Sequence, residues 1–176
     1  MSIYKFYPKI TYKVDDYDSL TAIDITSSLK VKDYLKSYRG ILYTPYIIQD
    51  GERPDFVSYK LYGSSDYDWL IMLANDIHSL YDDWPKNSID LESYIIEKYG
   101  SLSSAMSTAK YYYNASGDIV DQTTYNSLAS NARTSETEYE YELRVNSNKS
   151  KIKVIRKSLI NAITSDLNSI TKKPVV

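Results

Sequence analysis

The chain has 176 residues, 21 Lys and Arg against 23 Asp and Glu, a formal net charge of −2 and no cysteine. That length suits one compact domain with extensions, or two small ones. The charge balance excludes a strong field steering the chain to nucleic acid or to an acidic membrane surface; the lack of cysteine excludes disulfides, thiolate metal sites and cysteine nucleophiles.

Hydrophobic residues make up 43% of the chain, enough for a core. No apolar run approaches the roughly 20 residues that span a bilayer. Residues 1–13 mix Lys and Tyr with few aliphatics, unlike a signal peptide. The expectation is a soluble chain, cytosolic at synthesis, that binds neither membrane nor nucleic acid. The aromatic composition is skewed, with 20 Tyr and 2 Phe. Tyr combines a stiff apolar body with a polar tip and is enriched at protein interfaces. Some rings must serve the core in place of Phe; the others are expected at contacts with partners.

Taken in chain order, residues 1–37 read as an extended arm, with a strand at Ile3–Tyr7 and a short helix at Val31–Tyr38 ended by Gly40. Leu42–Ile48 is a run of aromatic and branched residues, a strand whose Pro45 favours an edge or a bulge. Pro54 suits the first position of a helix with Phe56, Val57, Leu61 and Tyr62 on its apolar face, and Gly63 suits its left-handed terminus. Ser65 to Asp68 resembles a capping box for a second helix striped by Trp69, Leu73 and Ile77 and widened by Leu70 and Ala74. A short strand near Leu80–Trp84 is expected next. Asn87 or Ser88 can cap a third helix carrying Leu91, Ile95 and Tyr99 and ended by Gly100.

Residues 101–136 are rich in Ser, Thr, Ala and Asn. Tyr111, Tyr112 and Tyr113 can turn at Asn114–Asp118 into Ile119 and Val120 as a small hairpin; Ser127–Thr137 reads as a mobile loop. Segments 1–28 and 101–136 are short of apolar residues and are expected to order on binding. Tyr139, Tyr141, Leu143 and Val145 alternate with Glu138, Glu140, Glu142 and Arg144, the period of a half-buried strand. Ile152 and Val154 alternate with Lys151 and Lys153 on a return strand, so a Glu row would face a Lys row. Leu159, Ile160, Ile163, Leu167 and Ile170 stripe a last helix.

The motifs of the central region carry a resemblance. Gly51-Glu52-Arg53, Lys60-Leu61-Tyr62-Gly63 and Asn75-Asp76-Ile77 look like the LysM pattern, with Glu52 and Arg53 standing where that pattern has Asp and Thr. Gly51-Glu52-Arg53-Pro54-Asp55, Leu73-Ala74-Asn75 and Asp83-Trp84-Pro85 together resemble the baseplate wedge protein 53 family of T4-like contractile-tailed phages, closely over residues 38–100. The resemblance implies an α+β fold. A LysM-like β-α-α-β core (38–100) would follow the arm (1–37), with a Ser/Thr/Tyr-rich extension (101–136) and a C-terminal β-hairpin plus helix (137–176) after it. It implies a virion structural subunit, several symmetry-related copies per baseplate, no cofactor and no catalysis. The implied partners are other wedge proteins, sheath-initiator proteins and hub proteins.

Other readings of single residues are weaker. His78 reads as a polar helix terminus, since no nucleophile-elbow motif supports a Ser-His-Asp triad. Asp66 and Asp68 read as helix caps. Neither they nor Asp82 and Asp83 form a calcium-loop series, and a unit this small offers little cleft for a glycosidase carboxylate pair. Lys149, Lys151, Lys153, Arg156 and Lys157 read as the charged face of the hairpin. Arg53 can pair with Asp76 or Asp82 inside the fold, or with a partner. The candidate interface residues are Arg53, Asp55, Tyr62, Tyr81, Trp84, Tyr111, Tyr112 and Tyr113; Trp84 also suits a core. The alternative function is a glycan-binding module of a tail protein, since many LysM domains bind peptidoglycan or chitin.

Overall fold

A computed structural model describes residues 9–14, 19–23 and 43–171. The expected strand at Ile3–Tyr7 and helix at Val31–Tyr38 lie outside them. In chain order the strands are β1 (Lys9–Lys13), β2 (Ser19–Ile23), β3 (Tyr43–Ile47), β4 (Ala109–Asn114), β5 (Ile119–Val120), β6 (Arg133–Thr137) and β7 (Lys151–Ile155). The helices are α1 (Pro54–Tyr62), α2 (Asp68–Ala74), α3 (Ser88–Tyr99), α4 (Leu102–Ser107), α5 (Gln122–Ser127), α6 (Glu138–Ser150) and α7 (Ile160–Thr171). The fold is α+β. Two compact units divide the chain: Met1–Ile48, Glu52–Asp83 and Ile152–Val176 form the first, and Gln49–Gly51 with Trp84–Lys151 the second.

In the first unit, β1 and β2 pair antiparallel from Lys9 opposite Ile23 to Lys13 opposite Ser19. Helix α1 starts at Pro54, whose missing N–H costs nothing there, and Arg53 before it provides no side-chain cap. Gly63, at φ +81°, closes the helix, its N–H donating to the Tyr59 carbonyl at 2.8 Å. The buried Ser58 hydroxyl donates to the Ser64 carbonyl at 2.7 Å and accepts the Tyr67 N–H at 3.2 Å, fixing the turn into α2. Ser64, one residue before the expected cap, accepts from Asp66 at the start of a 3-10 turn (Ser65–Tyr67).

Val57 and Tyr62 are buried as the helical spacing predicts, but Phe56, expected beside them, is exposed. Of the expected α2 stripe, Trp69 and Leu70 are buried, as is Ile77 just beyond the helix, while Leu73 and Ala74 are half-buried and Ile71, outside the stripe, is fully buried.

The expected strand at Leu80–Trp84 does not form. The Asp83 carboxylate accepts the N–H groups of His78 and Ser79 at 2.9 and 3.0 Å, holding the segment as a turn. The strand hydrogen-bonded to β3 is instead β7. Asn75 fastens β7 to the end of α2: its amide donates to the Lys153 carbonyl at 2.7 Å and its side-chain oxygen accepts the Lys153 N–H at 2.8 Å. Ile152, Val154 and Ile155 of β7 and Ile160, Ile163 and Leu167 of α7 are all buried.

In the second unit, Asn87 caps α3 by accepting the Asp90 N–H, and Ser101 caps α4 by accepting from Ser104. Leu91, Ile95 and Ala105 form a small core, with Tyr94, Tyr99, Leu102 and Tyr139 packed round it. The expected hairpin is present, with Tyr112 opposite Val120 and Tyr113 opposite Ile119. The stretch 127–137, expected as a loop, instead ends in β6, which follows a 3-10 turn (Ser130–Ala132) and pairs antiparallel with β4, giving the sheet order β5-β4-β6.

The Glu/Lys hairpin is likewise absent, because residues 138–150 are helical. Thr137 and Glu140 form a complete capping box, each side chain satisfying the other's backbone N–H. Two acidic residues in the first turn suit the positive end of the helix dipole. These local terms outweigh the two-residue alternation. The next segment does follow the alternation, with Ile152 and Val154 inside and Lys151 and Lys153 outside.

Candidate interaction surfaces

Glu52, in the central motif of the first unit, is a structural tie. Its side chain is mostly enclosed; it accepts the Tyr46 hydroxyl at 3.1 and 2.8 Å and pairs with the Lys60 ammonium at 2.9 Å. Strand β3 is thereby joined to α1. Burial, ahead of the opposed effects of Lys60 and Glu52, raises the Tyr46 hydroxyl above its ordinary value. The Glu52 hydrogen bond raises Lys60.

Arg53 points outward, its side chain 80% exposed, and its Nε pairs with Asp55 at 3.2 Å. That carboxylate lies two residues away, instead of at Asp76 or Asp82. A pair so exposed adds little stability. Phe56 and Tyr59 are exposed on the same helix, and Tyr81 is 71% exposed.

Tyr62 lies inside the first unit at 8% exposure. Its ring meets Tyr67 edge-on at 6.1 Å. Its hydroxyl is directed at the main chain of Ile155 without close hydrogen-bond geometry, and burial pushes it up to about 12.

Trp84 is buried in the second unit at 6% exposure. The three consecutive tyrosines are half-buried on β4 and do separate work. Tyr111 contacts Tyr141 at 5.7 Å between ring centroids. Tyr112 stacks at a tilt on Tyr125 at 4.6 Å. The Tyr113 hydroxyl donates to Glu136 at 3.0 Å. Glu136 also takes Arg144 in a two-point pair at 2.6 and 3.0 Å. The Arg144 hydrogen bond holds Glu136 below the usual carboxylate range, and Arg144 is raised in return.

Two polar residues, Glu142 and Asn146, organise the second unit in ways the sequence does not announce. Glu142 is only 4% exposed. It accepts the Lys98 ammonium at 2.8 Å and the Tyr99 hydroxyl at 2.7 Å. This hydrogen bond raises Lys98; burial first, then Glu142, pushes Tyr99 up to about 12. Asn146 grips the Lys86 main chain with both halves of its amide, at 2.8 and 2.9 Å. It does in the second unit what Asn75 does in the first. Partners 60 and 78 residues away leave no local signal for either amide.

Among the described residues no group of three or more His, Asp or Glu is placed to hold a metal ion. No described helix is long and apolar enough to cross a membrane.

Comparison with protein families places the chain among the structural proteins of the phage tail baseplate. The model that matches is that of base plate wedge protein 53, over residues 2–129, and the chain belongs to that family. Among curated proteins none matches.

Proposed function

We propose that the chain joins baseplate wedge subunits to one another and to the central hub by protein–protein contacts, and that it catalyses no reaction. The observation that carries this reading is the family match over residues 2–129. The surface is consistent with it. Arg53, Phe56, Tyr59 and Tyr81 are exposed on the first unit, and these are residue types over-represented where proteins meet. Of the interface candidates, Arg53, Asp55 and Tyr81 are the contact residues in this reading, while Tyr62 and Trp84 are buried. The partners are other wedge proteins, sheath-initiator proteins and hub proteins, met in several copies per particle during assembly in the host cytoplasm.

The test is co-expression with candidate baseplate neighbours, followed by size-exclusion chromatography, with peptidoglycan pull-down as the control. Stoichiometric co-elution without sugar binding is the expected result. Sugar binding with no protein complex would replace this reading with glycan recognition.

A further inference from the structure

Across the second unit, cations and tyrosine rings alternate. The Lys86 ammonium lies 5.3 Å from the Tyr94 ring centre. Lys98 stands 5.1 Å from that ring and 5.4 Å from Tyr99. Lys110 is 5.8 Å from Tyr99 and 5.6 Å from Tyr141, and the Arg144 guanidinium lies 5.3 Å from Tyr141. Glu142 reaches this stripe on Lys98, and Glu136 on Arg144. Lys110 is different: its ammonium meets two rings and, among the described residues, no carboxylate.

The backbone puts it there. Between Ala109 opposite Thr137 and Tyr111 opposite Glu136, strand β4 carries one residue more than β6, and that residue is Lys110. In a regular strand Lys110 and Tyr111 would point to opposite faces. Here both approach the ring of Tyr141. A bulge re-aims a side chain at the expense of ladder pairing, a feature common beside functional sites. Ring faces attract a cation yet leave its charge uncompensated, so a carboxylate arriving from outside completes the arrangement.

We propose that Lys110, held in this bulge between Tyr99 and Tyr141, is a docking point for a carboxylate side chain of a neighbouring tail protein. The inference rests on the proposed structural role and adds to it the surface and the chemistry of the partner. A protein carboxylate suits the site better than a nucleic-acid backbone. One uncompensated cation matches one acid, whereas a phosphate chain needs a row of them, and the chain's net charge of −2 repels a polyanion at long range.

The test compares purified tails of the phage encoding this chain with the isolated full-length protein. Lysines are acetylated with a small active ester, and the tails are separately treated with a zero-length carbodiimide, which joins a lysine to a carboxylate in contact with it. Both are read at Lys110 by mass spectrometry. Loss of Lys110 acetylation on assembly, with a carbodiimide link from Lys110 to an Asp or Glu of another polypeptide, is the expected result. Equal acetylation in both states overturns the inference. So does protection accompanied only by links within the chain, or protection that nuclease removes. Absence of the chain from purified tails would overturn the structural role itself, and is seen before Lys110 is read.

Discussion

The first unit buries Val57, Leu70, Ile71, Ile155, Ile163 and Leu167 almost completely. The second has a smaller apolar centre, Leu91, Ile95 and Ala105, and surrounds it with half-buried tyrosines. The second unit has enclosed charge in two places, Glu142 on Lys98 and Tyr99 and Glu136 on Arg144 and Tyr113, where the first has Glu52 on Lys60 and Tyr46. The two also differ in how the chain builds them. The second is almost one continuous stretch, whereas the first draws β7 and α7 from beyond residue 151. Burial of aliphatics does not depend on ionisation, whereas charge-assisted bonds do. The two units thus weight these contributions differently, and each can be attacked separately.

The largest effect is expected from Leu70→Ala, at a fully buried position of the first unit. It should cost about 3–4 kcal/mol, by lost transfer energy and the cavity left behind. Hydrogen exchange resolved by residue should show faster opening in 52–83 and 151–167, with 88–150 little changed. Uniform acceleration would mean that the units do not open separately.

Glu142→Gln attacks the other contribution. It keeps the shape but removes the charge that Lys98 and Tyr99 address, and should cost about 2 kcal/mol, read as faster exchange in 88–150.

Asn75→Ala tests the closure of the first unit. Two hydrogen bonds to the Lys153 main chain vanish together. A loss of about 1–2 kcal/mol is expected, with exchange in 151–155 accelerated first.

The subtlest prediction concerns acid. Glu136 has a depressed folded-state pKa, so its contribution is present above its unfolded value and lost as pH falls through the folded one. Acidification below the ordinary carboxylate range should therefore loosen β4 and β6. Glu136→Gln should be weaker at neutral pH and less sensitive to that fall, which amide NMR shifts of 109–114 and 133–137 would reveal.

Much of the fold could be read from local signals. Pro54 and Gly63 bracket α1, Asn87 and Gly100 bracket α3, and the turn after Tyr113 closes a real hairpin. Residues 138–145 alternate strictly, yet they open the helix Glu138–Ser150, because the alternation coincides with a Thr137–Glu140 capping box and helix formers. Two periods were present in one segment, and the cap decided between them. The partner of β3 was not legible for another reason. β7 lies about a hundred residues further on, and nothing local identifies a strand's neighbour across such a distance. The family match itself ends at residue 129, before β7 and α7.

Residue type alone does not place the candidate contact residues: Arg53 and Tyr81 are exposed and Asp55 partly so, whereas Tyr62 and Trp84 are buried. A large aromatic with a polar tip suits a core as well as an interface, so residue type does not separate the two. Glu142 reads in sequence as one of an exposed Glu row; a charged residue is rarely buried unless it is paired, and its partner Lys98 lies 44 residues away. The bulge at Lys110 depends on the register between β4 and β6, which no residue in either strand announces.

The most direct measurement of the central claim is electron microscopy of particles produced by the phage when this chain is not made. If it joins wedges, free or partly joined wedges should accumulate without closed baseplates, and supplying the chain in trans should restore them. Closed, normally populated baseplates in its absence would contradict the account.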